Sequence, residues 1–257
     1  MGISLQGHTY VIMGVANQRS IAWGVAEALH HAGARLIFTY SRERSGEKVK
    51  KLVEKLDGAV DPMVLQCNVA DEEQIETAFR TIQEQVGVIS GVIHSVAYAN
   101  TEELNGEYVN TSREGYLMAQ EISSYSLAAV ARFARPIMSE GGSIVAMSYI
   151  GGERVVQNYN VMGVAKAALE ASVKYLANDL GKDGIRVNAI SAGPIRTISA
   201  KGVSGFNDIL KDIEDNAPLR RPVTKEDVGN TTLFLMSELS KGITGEIIHV
   251  DSGYNII

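Results

Sequence analysis

The chain has 257 residues, of which 45% are hydrophobic and 21% charged, with a formal charge of −6. That balance suits a globular protein with a substantial core and argues against a general basic surface for nucleic acid. There is no long unbroken apolar stretch and no basic-then-apolar leader, so a cytoplasmic, unprocessed protein with no membrane attachment is expected. The lone Cys67 has no thiol to pair with and no metal-ligand spacing around it, and reads as a buried, inert thiol.

The first apolar run, Tyr10 to Met13, leads into Gly14-Val15-Ala16-Asn17-Gln18-Arg19-Ser20-Ile21-Ala22 and a helix carrying Trp23, Val25 and Leu29. A glycine after a strand lets the backbone approach a pyrophosphate, and the amides of the following helix meet its charge. Ala16 and Ser20 replace the further glycines of the usual fingerprint, so the spacing alone also fits a plain tight turn. A second run, Leu36 to Phe38, extends to Thr39-Tyr40 and is followed by Ser41-Arg42-Glu43-Arg44-Ser45. An acid at this strand end serves the ribose hydroxyls of NAD, whereas a cation serves the 2′-phosphate of NADP. Arg42 and Arg44 tilt the reading towards NADPH; Glu43 is available to neutralise them, and NADH stays open.

After a third run, Met63 to Leu65, the pair Asn68-Val69 is placed to meet an adenine, with Asn68 offering a donor and an acceptor; Asn68 as a turn or cap residue fits as well. Ile75, Ala78, Phe79, Ile82 and Val86 then share one helix face, and Asp71 with Gln74 resembles a capping box at its start. Further runs at 91–93, 143–147, 187–190 and 247–250 complete the alternation. Strands buried on both faces and separated by amphipathic helices predict one α/β domain over 1–257, a Rossmann-like doubly wound parallel sheet of about seven strands. Two long segments, Tyr98–Asn110 and Ser191–Gly205, follow the fourth and sixth runs. They fall at the carboxyl ends of strands, where an open parallel sheet holds its ligands.

The fifth run ends in Ser148-Tyr149, ahead of Asn158-Tyr159-Asn160-Val161-Met162-Gly163-Val164-Ala165-Lys166. On a continuous helix Tyr159 and Lys166 point to nearly the same side, roughly 10 Å apart along the axis. That is too far for a direct hydrogen bond, but a nicotinamide ribose fits between them. Lys166 would then bind the ribose, favour a more acidic Tyr159 phenol and leave that phenol for the substrate. Such a pair taken by spacing alone is equally compatible with a purely structural helix.

The sequence resembles the enoyl-acyl-carrier-protein reductases of bacterial fatty acid synthesis, a divergent branch of the short-chain dehydrogenase/reductases. Several stretches carry the resemblance: Met13 to Asn17 with Arg19 to Trp23, Ile122 to Ser126, Tyr159 to Lys166, Ile185 to Thr197, and His249 to Gly253. The Tyr-x6-Lys spacing is the specific element, since ordinary members of the superfamily carry Tyr-x3-Lys. That spacing disfavours the rival reading, a ketoacyl reductase or alcohol dehydrogenase; a non-catalytic nucleotide-sensing protein is the rival from another class.

The resemblance implies reduction of a trans-2-enoyl thioester on an acyl carrier protein, with NADPH or NADH as cofactor and no metal. Tyr159 would hydrogen-bond the thioester oxygen, Lys166 the cofactor ribose, and Tyr149 would line the acyl pocket beside Ala99. Cofactor contacts fall on Gly14, Ser20, Ile21, Asn68, Val69, Val96, Ile195 and Thr197, with Arg196, Ile198 and Ser199 in the same segment and Arg42 near the phosphate end. A substrate-binding loop is expected at about 192–215. Its part from Ile195 to Gly205, with Gly202 and small side chains, is suited to act as a lid. A homotetramer is implied. Asn68 departs from the family's usual Asp and Tyr98 from its usual Phe, and Lys201, Lys211, Arg220 and Arg221 are the candidate basic patch for the acidic carrier.

Overall fold

A computed structural model describes residues 2–56, 62–197 and 205–257. Strands β1 (Thr9–Met13), β2 (Arg35–Tyr40), β3 (Met63–Gln66), β4 (Gly91–His94), β5 (Gly142–Ser148), β6 (Ile185–Ala192) and β7 (Ile247–Val250) form one sheet in the order β3-β2-β1-β4-β5-β6-β7. Every neighbouring pair is parallel. Val11 and Ile12 on β1, and Ile93 on β4, are fully buried, as strands covered on both faces must be.

Two apolar layers sandwich the sheet. Helices α1 (Ile21–His31), α2 (Glu43–Val53) and α8 (Lys225–Met236) cover one face. On the other face lie α3 (Glu72–Gln85), α5 (Ser126–Ala134) and α6 (Asn160–Leu180). Ile75, Ala78, Phe79 and Ile82 form the inner face of α3, spaced three and four apart. Two further helices, α4 (Arg113–Gln120) and α7 (Phe206–Asn216), flank the carboxyl edge, and one π-helical turn, Glu121–Tyr125, joins α4 to α5.

Local details differ from expectation at two places. Strand β6 continues through Ser191 and Ala192, because these pair with His249 and Val250 of β7; the connection that follows is shorter than the expected one and ends at α7. At the start of α3, Asp71 accepts from the backbone amides of Glu73 and Gln74, but Gln74 does not return a bond to the Asp71 amide. It donates to the Asp71 carboxylate at 2.8 Å and accepts from the Asn68 amide at 3.1 Å, securing the turn after β3 instead. No helix among the described residues is long and apolar enough to cross a membrane.

Candidate active site

Strand order reverses between β1 and β4, and the carboxyl ends of β1, β4, β5 and β6 open onto a cleft of about 610 Å³. Such a crevice is the ligand position of doubly wound sheets. Gly14 begins it with φ +93°, and a Cβ there would lie 1.9 Å from the Ser95 carbonyl oxygen, so only glycine lets the turn after β1 close against β4. Ser20 shapes the same turn: its hydroxyl accepts from the amides of Ala16 and Asn17, each at 3.1 Å. Asn17 Oδ1 accepts from the Arg19 amide at 2.7 Å, while its buried Nδ2 has no partner among the described residues and lies on the cleft wall.

Tyr159 stands immediately before α6, between two asparagines in left-handed conformation, Asn158 (φ 60°) and Asn160 (φ 32°). Asparagine tolerates that region better than most residues. Asn160 Nδ2 donates to the carbonyls of Asn105 and Gly106, tying the long loop after β4 to the same helix start. The Tyr159 ring meets Tyr149 edge to face, with centroids 4.9 Å apart and planes at 69°. Gly151 makes room for it, since a Cβ there would lie 2.5 Å from Tyr159 Cδ1. On the opposite side Ala99 and Tyr159 pack on Leu104, Val161, Met162 and Ala165, an apolar wall separate from the two main layers. Lys166 is buried, and its ammonium donates to the Met147 carbonyl at 2.6 Å.

Burial dominates the ionisation of these groups. The Tyr159 phenol is held well above its ordinary value by burial first, then by Tyr149 and Glu170. Burial likewise pushes Tyr149 up to about 12. Lys166 is pulled down to about 8 by burial, against an opposing effect of the Glu170 carboxylate. The expected acidification of Tyr159 by Lys166 is therefore not met, because the ammonium faces the end of β5 while the phenol sits among rings and methyl groups. A proton that stays on Tyr159 makes it a hydrogen-bond donor throughout the neutral range.

The cleft brings together Gly14, Ser20, Ile21, Val96, Ala99, Tyr149, Tyr159, Lys166, Ile195 and Thr197. Four expected cofactor residues do not line it. Val69 is buried in the layer beneath. Asn68 spends its Oδ1 on the Ala70 amide at 3.3 Å, the turn-forming alternative. Arg42 is exposed at the start of α2, and no ion pair joins it or Arg44 to Glu43 among the described residues. Arg196 donates to Asn207 Oδ1 at 2.8 Å, linking the segment after β6 to α7. Ile198, Ser199, Lys201, Gly202 and most of the expected lid lie outside the described residues.

Of the candidate basic patch, Lys211, Arg220 and Arg221 fall among the described residues, each close to local acceptors or carboxylates. Arg221 is engaged by Asp227 at 2.7 and 3.1 Å, and Arg220 donates to the Asp215 carbonyl. Lys211 is exposed on a helix that also carries Asp208, Asp212, Glu214 and Asp215. Local carboxylates thus outnumber that one cation, and α7 presents no basic face.

Several lining residues escape a motif-based reading: Asn17, Ser148, Leu104, Met162, Phe206 and Ile209. Asn17 and Met162 lie inside recognisable motifs, but nothing in their spacing distinguishes a lining side chain from its neighbours. Ser123, in the Ile122 to Ser126 stretch, exchanges hydrogen bonds with both the amide and the carbonyl of Tyr98 at 3.0 and 3.1 Å, so the π-helical turn fixes the loop behind the cleft.

A glycine turn at the sheet's reversal point, a buried amide donor without a partner among the described residues and a buried ammonium fit a dinucleotide cofactor. Residues 14–255 match the family model described as enoyl-(acyl carrier protein) reductase. The chain belongs to this family. Among relatives, it is 63% identical to the enoyl-[acyl-carrier-protein] reductase [NADH] FabI of Bacillus subtilis, over 100% of this chain and 99% of the relative. It is 59% identical to the corresponding [NADPH] enzyme of Staphylococcus aureus, over 99% of each. Among solved structures, the Bacillus cereus enoyl-acyl carrier protein reductase with NADP+ and indole naphthyridinone superposes with a TM-score of 0.98 at 61% identity, covering 100% of this chain and 99% of that one. A reductase from Anaplasma phagocytophilum in complex with NAD gives 0.95 at 47% identity, over 100% and 97%.

Proposed function

We propose that the protein is an NAD(P)H-dependent enoyl-acyl-carrier-protein reductase that converts a trans-2-enoyl thioester to the saturated acyl thioester. The observation that carries this reading is the joint placement of Tyr159, Tyr149 and Lys166 around one cleft at the sheet's reversal point, with the seven-residue separation of the family. The reduced nicotinamide, when bound, supplies the hydride that adds to the β-carbon. Lys166 would hold the ribose through N–H groups beyond the one given to Met147, and the turn shaped by Gly14, Ser20 and Asn17 would hold the pyrophosphate. Val96, Ile195 and Thr197, which line the same cleft, would hold the nicotinamide end.

As the β-carbon gains hydride, negative charge collects on the thioester oxygen. Tyr159 donates a hydrogen bond to it in a cleft walled by Leu104, Met162 and the Tyr149 ring, where a fixed donor counts for more than in water. The α-carbon then takes a proton that derives from water, which completes reduction of the carbon–carbon double bond. Tyr149 is the second ring of the acyl pocket, and Ala99, small and partly buried, leaves width for the chain.

Arg42, exposed at the start of α2 and without an ion-pair partner among the described residues, favours NADPH over NADH. The segment at about 192–215 serves as the substrate loop, and the enzyme works in the cytoplasm as a homotetramer. The deciding assay mixes purified protein with a crotonyl thioester and NADPH or NADH and follows loss of nicotinamide absorbance, with an acetoacetyl thioester as control. Oxidation of the cofactor with the crotonyl compound is expected; turnover of the acetoacetyl compound alone would make it a ketoacyl reductase.

A further inference from the structure

Glu170 follows Lys166 by one turn of α6, so the two side chains emerge as neighbours on one face. Both are almost inaccessible, at 5% for Lys166 and 7% for Glu170. Each has taken a partner at the end of β5: Lys166 donates to the Met147 carbonyl, and the Glu170 carboxylate accepts from the Ser148 hydroxyl. Consecutive residues of one strand end are therefore clasped between an ammonium and a carboxylate. Gly152 makes the space, since a Cβ there would approach Glu170 Oε1 to 3.0 Å.

A buried ammonium facing only a neutral carbonyl is costly, and the group tends to shed its proton unless a negative charge stands nearby. Glu170 is the carboxylate that supports Lys166. Other ionisable groups face this pair from every side. Glu153, after β5, and His249, on β7, lie beside Glu170 and are bonded to each other at 2.7 Å. His94 at the end of β4 lies within the field of Lys166 and is held neutral by burial. Tyr159, on the cleft side, stays protonated and brings no charge. Glu153 shares the sign of Glu170 and is offset by His249 when that ring is protonated.

We propose that Glu170 is a positioning residue: its charge keeps Lys166 protonated at its buried position, and its bond to Ser148 fixes the strand end from which Lys166 presents its remaining N–H groups to the cofactor. The proposal rests on the reading that Lys166 holds the ribose, and the experiment separates the two. NADPH affinity is measured by nicotinamide fluorescence between about pH 6.5 and 9.5 for the full chain and for Glu170→Gln, Glu170→Asp and Lys166→Ala. Wild-type affinity should fall as pH passes about 8, where Lys166 loses its proton. In Glu170→Gln, whose amide oxygen can still accept from Ser148, the fall should begin at least about half a pH unit lower. Glu170→Asp keeps the charge but draws back from Ser148, so its affinity should drop about two- to fivefold at every pH with the limb unmoved. Lys166→Ala should bind at least about tenfold more weakly with no limb.

A Glu170→Gln curve that superimposes on wild type, or one lowered equally at all pH, while Lys166→Ala still weakens binding, overturns the role of the charge. A limb in Glu170→Asp moved as far as in Glu170→Gln overturns the separation of charge from anchoring. Wild-type affinity in Lys166→Ala removes the reading of Lys166 and this proposal with it.

Discussion

Replacing Tyr159 by Phe removes one hydroxyl and little else. The ring keeps its edge contact with Tyr149 at 4.9 Å and its seat over Gly151. Among the described residues the Tyr159 hydroxyl has no hydrogen-bond partner, so the substitution leaves no protein group unsatisfied. Stability should therefore change by less than about 1 kcal/mol. Catalysis should change much more, since loss of one donor to a developing oxyanion costs about 10²–10³ in kcat, or about 2.7–4 kcal/mol. Because Lys166 is untouched, NADPH affinity should stay within about twofold. The assay follows kcat and KM with a crotonyl thioester, NADPH binding by fluorescence and thermal unfolding on the same preparations. Tyr149→Phe is the control for a hydroxyl lost from the other ring. The wild-type basic limb should not belong to Tyr159, whose phenol is held above its ordinary value. A Tyr159→Phe enzyme with wild-type kcat, or one whose loss lies wholly in NADPH binding, would refute the assignment of the phenol to the thioester oxygen.

Gly14→Val should abolish NADPH binding, because its Cβ would meet the Ser95 carbonyl at 1.9 Å in a left-handed backbone; a folded variant with normal affinity would show that the cofactor turn lies elsewhere. Arg42→Ala should raise the KM for NADPH about tenfold and leave that for NADH within twofold, and equal effects on both would remove Arg42 from the phosphate site. His94 is held down to about 3 by burial, so between that value and about 6.5 the unfolded chain binds a proton that the folded chain does not. Stability is thus fully present above about pH 6.5 and is lost as pH falls towards 3. Urea midpoints at pH 7 and pH 5 should differ less for His94→Gln than for wild type, and an unchanged difference would place the acid sensitivity on other groups.

The fold was legible because its signal is periodic. Val11, Ile12, Ile37, Ile93 and Ile144 sit in short β-branched runs spaced by helices, and that alternation has few parallel-sheet solutions. The site was legible only where backbone chemistry leaves a trace, as at Gly14, or where the family spacing does, as at Tyr159 and Lys166. Ionisation was not. Spacing relates the Tyr159 phenol to Lys166 alone and points to a more acidic group, whereas the Tyr149 ring and the apolar wall around Leu104 decide its environment through contacts distant in sequence. The partners of Arg220 and Arg221, a backbone carbonyl and the helix-capping Asp227, are likewise invisible in a count of charges.

The seven-residue separation also gains a physical meaning from what fills the intermediate position. A Tyr-x3-Lys pair ending at Lys166 would place its tyrosine at position 162, where this chain has Met162, 6% exposed and lining the cleft. A phenol there would stand about one helical turn closer to Lys166, leaving less room for a ring between it and the strand end. Moving the tyrosine back to the helix start frees that turn for an apolar side chain and lets Tyr149 approach from Gly151 to meet Tyr159 edge-on. A polar group beside the β-carbon would suit a reaction that protonates a ketone oxygen there. Hydride addition to the β-carbon of a conjugated thioester places its charge two carbon atoms away, so the donor belongs further along the acyl group and the nearer position is better apolar. On the function proposed above, Met162 and Tyr159 would divide between them the two requirements of one substrate, an apolar wall towards the double bond and a fixed hydrogen-bond donor at the carbonyl.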